Sequence, residues 1–291
     1  MNSCLRTIVL LFAVSLVSGC GLRLAYQQLD HLLPWYVSDY VTLDDGQRDT
    51  LDSMLAHRLA WHCQTQIPAY RKWLDEVHAS LDGERVTAAD LQPLGDQAET
   101  MWRKLMLALA PDLTKLLAQL SDQQVDEILR AMGKKNRELR REYLDISDER
   151  RLAKRTERME KQLRRWTGRL SAEQRAILDT WASELRPTAG DWITQREGWR
   201  TRFSAALAQR ADTSRLEAHM RQLLATPDAH WSDSYRADVE FNRAHTLQLV
   251  ADVYNLASTQ QRNKIAEEIG SLGTQLDELA CEAQAPLAAL H

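Results

Sequence analysis

One phrase recurs along this chain and limits what it can fold into: an apolar residue, then Ser or Asp, two residues, and Gln (once Arg), usually with an Arg behind it. It stands at Leu43-Asp44-Asp45-Gly46-Gln47-Arg48, Leu120-Ser121-Asp122-Gln123-Gln124, Ile146-Ser147-Asp148-Glu149-Arg150-Arg151 and Leu170-Ser171-Ala172-Glu173-Gln174-Arg175. A looser copy is Ala257-Ser258-Thr259-Gln260-Gln261-Arg262. Each copy is a helix start: the Ser or Asp oxygen accepts from an orphan amide of the first turn, and Gln three residues on reciprocates. The apolar residue ahead of the cap can staple against that turn. Repeated starts with only 11 glycines and 7 prolines in 291 residues, and no defensible strand pattern, predict an all-α fold: an elongated multi-helix bundle or array of nine to eleven helices.

Between the caps the apolar spacing is helical. Asp44 opens a helix carrying Leu51, Met54, Leu55 and Leu59 to about His62, and Pro68 is expected to begin a new one with Trp73, Leu74 and Val77. Thr87 caps a segment that Pro93 and Pro111 should start or interrupt. After Ser147, Leu152, Thr156, Met159, Leu163 and Trp166 form one narrow stripe in an otherwise basic helix that Gly168 closes. Further helices are expected over Ser171–Leu185, Asp191–Arg210, from Asp212 or Thr213 to Leu224, from Ser232 and from Ser258; a soft domain boundary falls near 186–190.

The N-terminus has a different character. In MNSCLRTIVLLFAVSLVSGC, basic Arg6 precedes the apolar run Ile8–Val17, and Ser18-Gly19 lie directly before Cys20. This pattern predicts a signal peptide over 1–19, cleavage before Cys20, and lipid on that cysteine, leaving residues 20–291 as a helical lipoprotein domain. A short amphipathic stretch, Leu22–Leu33, is expected to stop at Pro34. The following aromatics Trp35, Tyr36 and Tyr40 then either sit at a lipid–water interface or plug the first corner of the bundle.

Charge is uneven. Residues 130–169 carry 15 Lys/Arg against 7 Asp/Glu, whereas the whole chain is at −4. The basic middle either docks against its acidic flanks or presents Arg151, Arg155, Arg158 and Arg165 to anionic lipid, lipopolysaccharide or an acidic partner. Export makes nucleic acid an improbable ligand. With Cys4 removed and Cys20 lipidated, Cys63 and Cys281 remain, an even pair that either forms a disulfide or sits as two buried thiols. No HExxH, GxSxG, P-loop or clustered-cysteine pattern occurs, and His57 with Asp52 or His245 with Asp252 are isolated pairs. The expectation is a non-enzyme with no metal and no cofactor.

The lipidation pattern, Tyr26-Gln27-Gln28-Leu29-Asp30-His31-Leu32-Leu33-Pro34-Trp35-Tyr36, Asp39-Tyr40 and Trp61-His62 together resemble an uncharacterised family of lipoproteins from Gram-negative bacteria. That resemblance implies localisation and fold, and no catalytic residue. The repeated phrase is also similar to the Leu-Thr-x-x-Gln motif of small helical periplasmic chaperones, with Ser or Asp here in place of Thr. Gly21 after the lipidated cysteine is similar to lipoproteins forwarded to the outer membrane. These likenesses imply an outer-membrane, periplasm-facing lipoprotein with a binding or chaperone-like role and an envelope protein partner. The alternative is an assembly factor touching anionic lipid through the basic helix.

Overall fold

The computed structural model describes Tyr26 and residues 28–281. The predicted signal peptide and Cys20 lie outside those residues. Eleven α-helices and no strand are found among the described residues. They are α1 Leu29–Ser38, α2 Asp45–Trp61, α3 Ile67–Ser80, α4 Ala88–Ala118, α5 Asp122–Tyr143, α6 Asp148–Thr167, α7 Ala172–Glu184, α8 Ala189–Leu207, α9 Thr213–Ala225, α10 Asp233–Asn255 and α11 Thr259–Leu279. The architecture is an elongated all-α array.

The recurrent phrase starts α2, α5, α6, α7 and α11, and all but α6 carry the complete reciprocal capping box. Thr87 and Asp90 make the same box at α4. The capping glutamines also meet in pairs across the fold. Gln47 Nε2 donates to Gln124 Oε1 (3.0 Å), and Gln124 Nε2 returns a bond to Gln47 Oε1 (2.6 Å). Gln174 and Gln261 repeat the arrangement at 3.1 and 3.0 Å. Each amide nitrogen also donates to a main-chain carbonyl on the partner's side, at Gln119, Thr42, Val253 or Arg169. Two helix starts are thus locked together by side chains whose donors and acceptors are filled, the condition under which buried polar groups are tolerated.

The interlocks belong to different cores. Gln47–Gln124 adjoins a cluster built from Leu51 of α2, Ala110 and Leu117 of α4, Ile128 of α5, Phe203 and Leu207 of α8, and Leu216 and Met220 of α9. Gln174–Gln261 adjoins Met159 and Leu163 of α6, Leu178 and Trp181 of α7, and Leu249 and Val253 of α10. α3 and α11 pack through Leu74, Ile265, Ile269 and Leu272. Helix α4, about 46 Å long at 1.5 Å per residue, joins the cores: Leu91 and Leu94 lie against α10, while its last turns lie in the first core. Arg58 of α2 donates to Asp112 of α4 through Nε at 2.8 Å, a largely buried pair. At the expected soft boundary, the Arg186 N–H donates to Asn242 Oδ1 (2.8 Å) and its carbonyl accepts from Nδ2 (2.9 Å).

Several proline expectations are corrected. Pro34 does not stop a helix; it lies inside α1. The only bond it removes is to the carbonyl of Asp30, which is exposed and can be met by water. Pro93 and Pro111 likewise lie inside an uninterrupted α4. Pro93 falls just past the first turn, and around Pro111 the burial of Ala110, Leu116 and Leu117 outweighs a local cost of about 3 kcal/mol. Pro68 does stand in the first turn of a new helix, α3, but no loop precedes it. Helix α2 runs through a π-turn, His62–Gln66, directly into α3, with the Ile67 amide reaching back to the His62 carbonyl. The wider turn comes just before the residue that cannot donate.

Candidate functional site

The nine tryptophans are spread along the sequence, yet four of them converge. Trp102 and Met106 lie one turn apart on α4, Met132 and Asn136 one turn apart on α5, and Trp192 and Trp199 two turns apart on α8. With Leu223, Leu224, Pro227 and Trp231 from α9 and the loop after it, they line a cleft of about 230 Å³. Trp199 is fixed by its Nε1–H bond to the Leu223 carbonyl (3.1 Å) and by stacking on Phe203 at 5.0 Å. Trp231 packs on Tyr235 at 4.7 Å, and Tyr143 meets Trp192 edge-on at 5.3 Å. Rigid indoles beside two adaptable methionines suit a variable apolar occupant.

One end of this cleft is polar. Arg196 Nε donates to Asn136 Oδ1 (2.9 Å), Asn136 Nδ2 donates to Glu197 Oε1 (2.9 Å), and Arg200 Nε donates to Glu197 Oε2 (2.9 Å). Asn136 is 2% exposed, and donors on one side with an acceptor on the other fix its orientation. The Arg196 guanidinium stacks over Trp192 at 5.4 Å. Burial lowers its pKa, partly offset by Tyr40, Tyr36 and Glu197. Tyr40 is pushed up to about 12, first by burial and then by its hydrogen bond to Tyr36. Tyr40, two residues past the end of α1, and Arg196 are close enough for each to shift the other's pKa. A larger, more open depression of about 730 Å³ is lined largely by charged side chains, among them Arg130, Lys134, Arg137 and Arg200.

A second cluster surrounds the π-turn. Cys63 and Cys281 are joined in a disulfide, packed with Ile67 and Leu279. Tyr26 Oη lies 3.1 Å from His62 Nδ1, and His62 meets the Tyr70 ring edge-on at 5.5 Å. Burial lowers the His62 pKa, raises Tyr26 and pushes Tyr70 up to about 12. His62 has no carboxylate among its hydrogen-bond partners here, and its cysteine neighbour is consumed in the disulfide, so no nucleophile–base pair is assembled. His245 engages the Phe241 carbonyl and ring, while Asp252 accepts from Gln248; that isolated pair is not brought together either. No group of three His, Cys, Asp or Glu side chains placed to hold a metal occurs among the described residues.

The sequence-selected surface divides. Trp35 (67% exposed) and Tyr36 (54%) lie on one face of α1 with Leu32 (46%), at i, i+3 and i+4. They do not plug a corner of the bundle, because α1 lays only its other side against α2; Tyr40 is half-buried. The arginines are each engaged within the fold. Arg151 donates to the Leu144 and Ile146 carbonyls and pairs with Asp148. Arg155 reaches the Ala182 and Leu185 carbonyls at the end of α7. Arg158 pairs with Glu142 at 2.9 Å over the Tyr143 ring, and Arg165 lies over Trp166. Arg151 thus closes the loop before α6 and Arg155 caps the end of α7, while Arg158 stays at the surface in its ion pair. Within the basic segment Lys135–Glu138, Arg151–Asp148 and Arg158–Glu142 form ion pairs, while α6 packs against α7 and α11 of the acidic C-terminal flank.

The cleft residues Trp102, Met132, Asn136, Trp192, Arg196, Trp199 and Trp231 were not singled out as a site from sequence. Their only advance signal is the number of tryptophans and the same-face spacing of Trp192 with Trp199 and of Trp102 with Met106.

The fold and its cleft define a class: an all-α protein with an aromatic-lined groove and, among the described residues, no helix long and apolar enough to cross a membrane. Within that class, residues 39–236 match the model of a family of unknown function, DUF6279, and the chain belongs to that family. The match begins after Leu33-Pro34-Trp35-Tyr36, the stretch that most strongly carried the lipoprotein resemblance. No curated protein and no solved structure matches the chain.

Proposed function

We propose that this protein is an outer-membrane lipoprotein, anchored through lipid on Cys20 and facing the periplasm, whose role is non-catalytic binding of apolar segments of an envelope protein. The observation that carries the reading is the cleft between α4, α5, α8 and α9, with four tryptophans and two methionines on its walls. Three others support the location. The leader ends at a cysteine. The Cys63–Cys281 disulfide suits an oxidising compartment. The Leu32–Trp35–Tyr36 face of α1 begins twelve residues after Cys20, a span of about 40 Å at most, and can rest in a headgroup zone.

A photo-crosslinking side chain placed at Gln195, in the cleft, should couple to reproducible envelope-protein neighbours in intact cells. The same group at exposed Arg150 should not. Equal or absent crosslinking from the two positions would remove the binding reading. Anchoring is tested separately: Cys20→Ser should abolish palmitate incorporation and leave the leader uncut, and continued labelling of that variant would place the lipid elsewhere or nowhere.

A further inference from the structure

The polar end of the cleft is more specific than an apolar groove requires. Arg200 pairs with Glu197 and Arg236 with Asp228, but no carboxylate among the described residues lies within 4 Å of Arg196. Its Nε is committed to Asn136, and neither terminal nitrogen bonds a described group. Those two nitrogens form the edge that takes a carboxylate in two parallel bonds. The Arg200–Glu197–Asn136 chain holds that edge in place, so little orientation has to be lost on binding. Close by, Trp192 is 6% exposed and its buried Nε1–H donates to nothing. A half-buried cation with two uncommitted nitrogens at the end of an apolar cleft suits an anion attached to an apolar body.

Size selects the body. A cavity of about 150 Å³ holds benzene. The present 230 Å³ therefore admits one large side chain and not a membrane-length acyl chain. We infer that the cleft recognises the free C-terminus of a polypeptide ending in a large apolar residue, whose side chain fills the indole-lined space while its α-carboxylate meets Arg196. This rests on the binding reading above and narrows it to a chain end.

The test uses the intact chain in phosphatidylcholine nanodiscs and two fluorescent pentapeptides ending in phenylalanine, one a free acid and one a C-terminal amide. The acid should bind at least about tenfold more tightly, the worth of a hydrogen bond to a charged group. Arg196→Gln should bring the two affinities together by weakening the acid alone. Trp102→Ala, which leaves the cation in place, should weaken both peptides. Unchanged far-UV circular dichroism of both variants secures the comparison. Equal binding of acid and amide by the parent protein overturns the inference while leaving an apolar cleft, as does a persistent acid preference in Arg196→Gln. Octanoate displacing the acid peptide at lower concentration than the unlabelled peptide does would overturn it in favour of a fatty-acid site. Failure of both peptides to bind also ends it, whereas the Gln195 crosslink reports on the broader reading independently.

Discussion

Gln174→Ala should cost about 3 kcal/mol of unfolding free energy, seen as a lower denaturant midpoint at unchanged slope. Gln174 is fully buried, and its side chain does four things at once. Its Oε1 accepts from the Ser171 amide (2.9 Å) and from Gln261 Nε2 (3.0 Å); its Nε2 donates to the Val253 carbonyl (3.0 Å) and to Gln261 Oε1 (3.1 Å). Alanine removes all four and leaves an unmet carbonyl at the end of α10, an unmet amide at the start of α7 and a cavity. Each unmet buried group costs about 1–3 kcal/mol, and Gln261 recovers part of this because it is half-exposed and keeps its bond to the Arg169 carbonyl (2.9 Å). Exposed Gln123, outside either interlock, should change stability by less than about 0.5 kcal/mol when replaced in the same way. In a double-mutant cycle Gln174→Ala and Gln261→Ala should be non-additive, since the second change removes a partner already lost. Gln174→Ala and Gln47→Ala, in separate cores, should add. Additivity inside the pair would mean that these glutamines act only as local caps.

The contrast between local and paired roles explains how far the sequence could be read. Ser121 and Gln124 are three residues apart, so the cap between them is decided by first-turn geometry and is legible at once; the same holds at Asp44, Thr87, Ser171 and Ser258. That Gln124 then reaches Gln47, 77 residues away, is a tertiary fact. The prolines were misread for a related reason. A local rule places Pro111 at a helix break, whereas the packing of Ala110 and Leu117 against α9 decides the outcome. Arg155 looked like a solvated cation because its helix is basic on most sides; its acceptors, the carbonyls of Ala182 and Leu185, lie on another helix. The cleft was the least legible feature. Trp102, Met132, Trp192 and Trp231 sit on three helices and a loop, and each taken alone reads as an ordinary core residue.

Reducing the Cys63–Cys281 bond should destabilise the protein by about 2–5 kcal/mol, the largest single effect expected here. The two cysteines are 218 residues apart, so the bond constrains nearly the whole described chain in its unfolded state. The chain-entropy estimate for a loop of that length is about 5 kcal/mol. The native side of the balance pulls the value down, because the end of α11 is held by more than the bond. Leu279 packs with Ile67, Arg71 Nε donates to Asp277 Oδ2 at 3.2 Å, and the Cys281 amide approaches the Cys63 carbonyl at 3.3 Å. The reduced protein should therefore remain folded at room temperature with α11 still against α3, while amides in the last turn of α11 exchange with solvent faster. Cys281→Ser should reproduce the loss without reductant and leave Cys63, 4% exposed, slow to alkylate in the folded state. Denaturation with and without reductant, combined with intact mass after alkylation, separates the outcomes. Two alkylatable thiols in the unreduced native protein would refute the bond, whereas an intact bond with an unmoved midpoint would mean that the reduced chain keeps the Cys63–Cys281 region together before it folds.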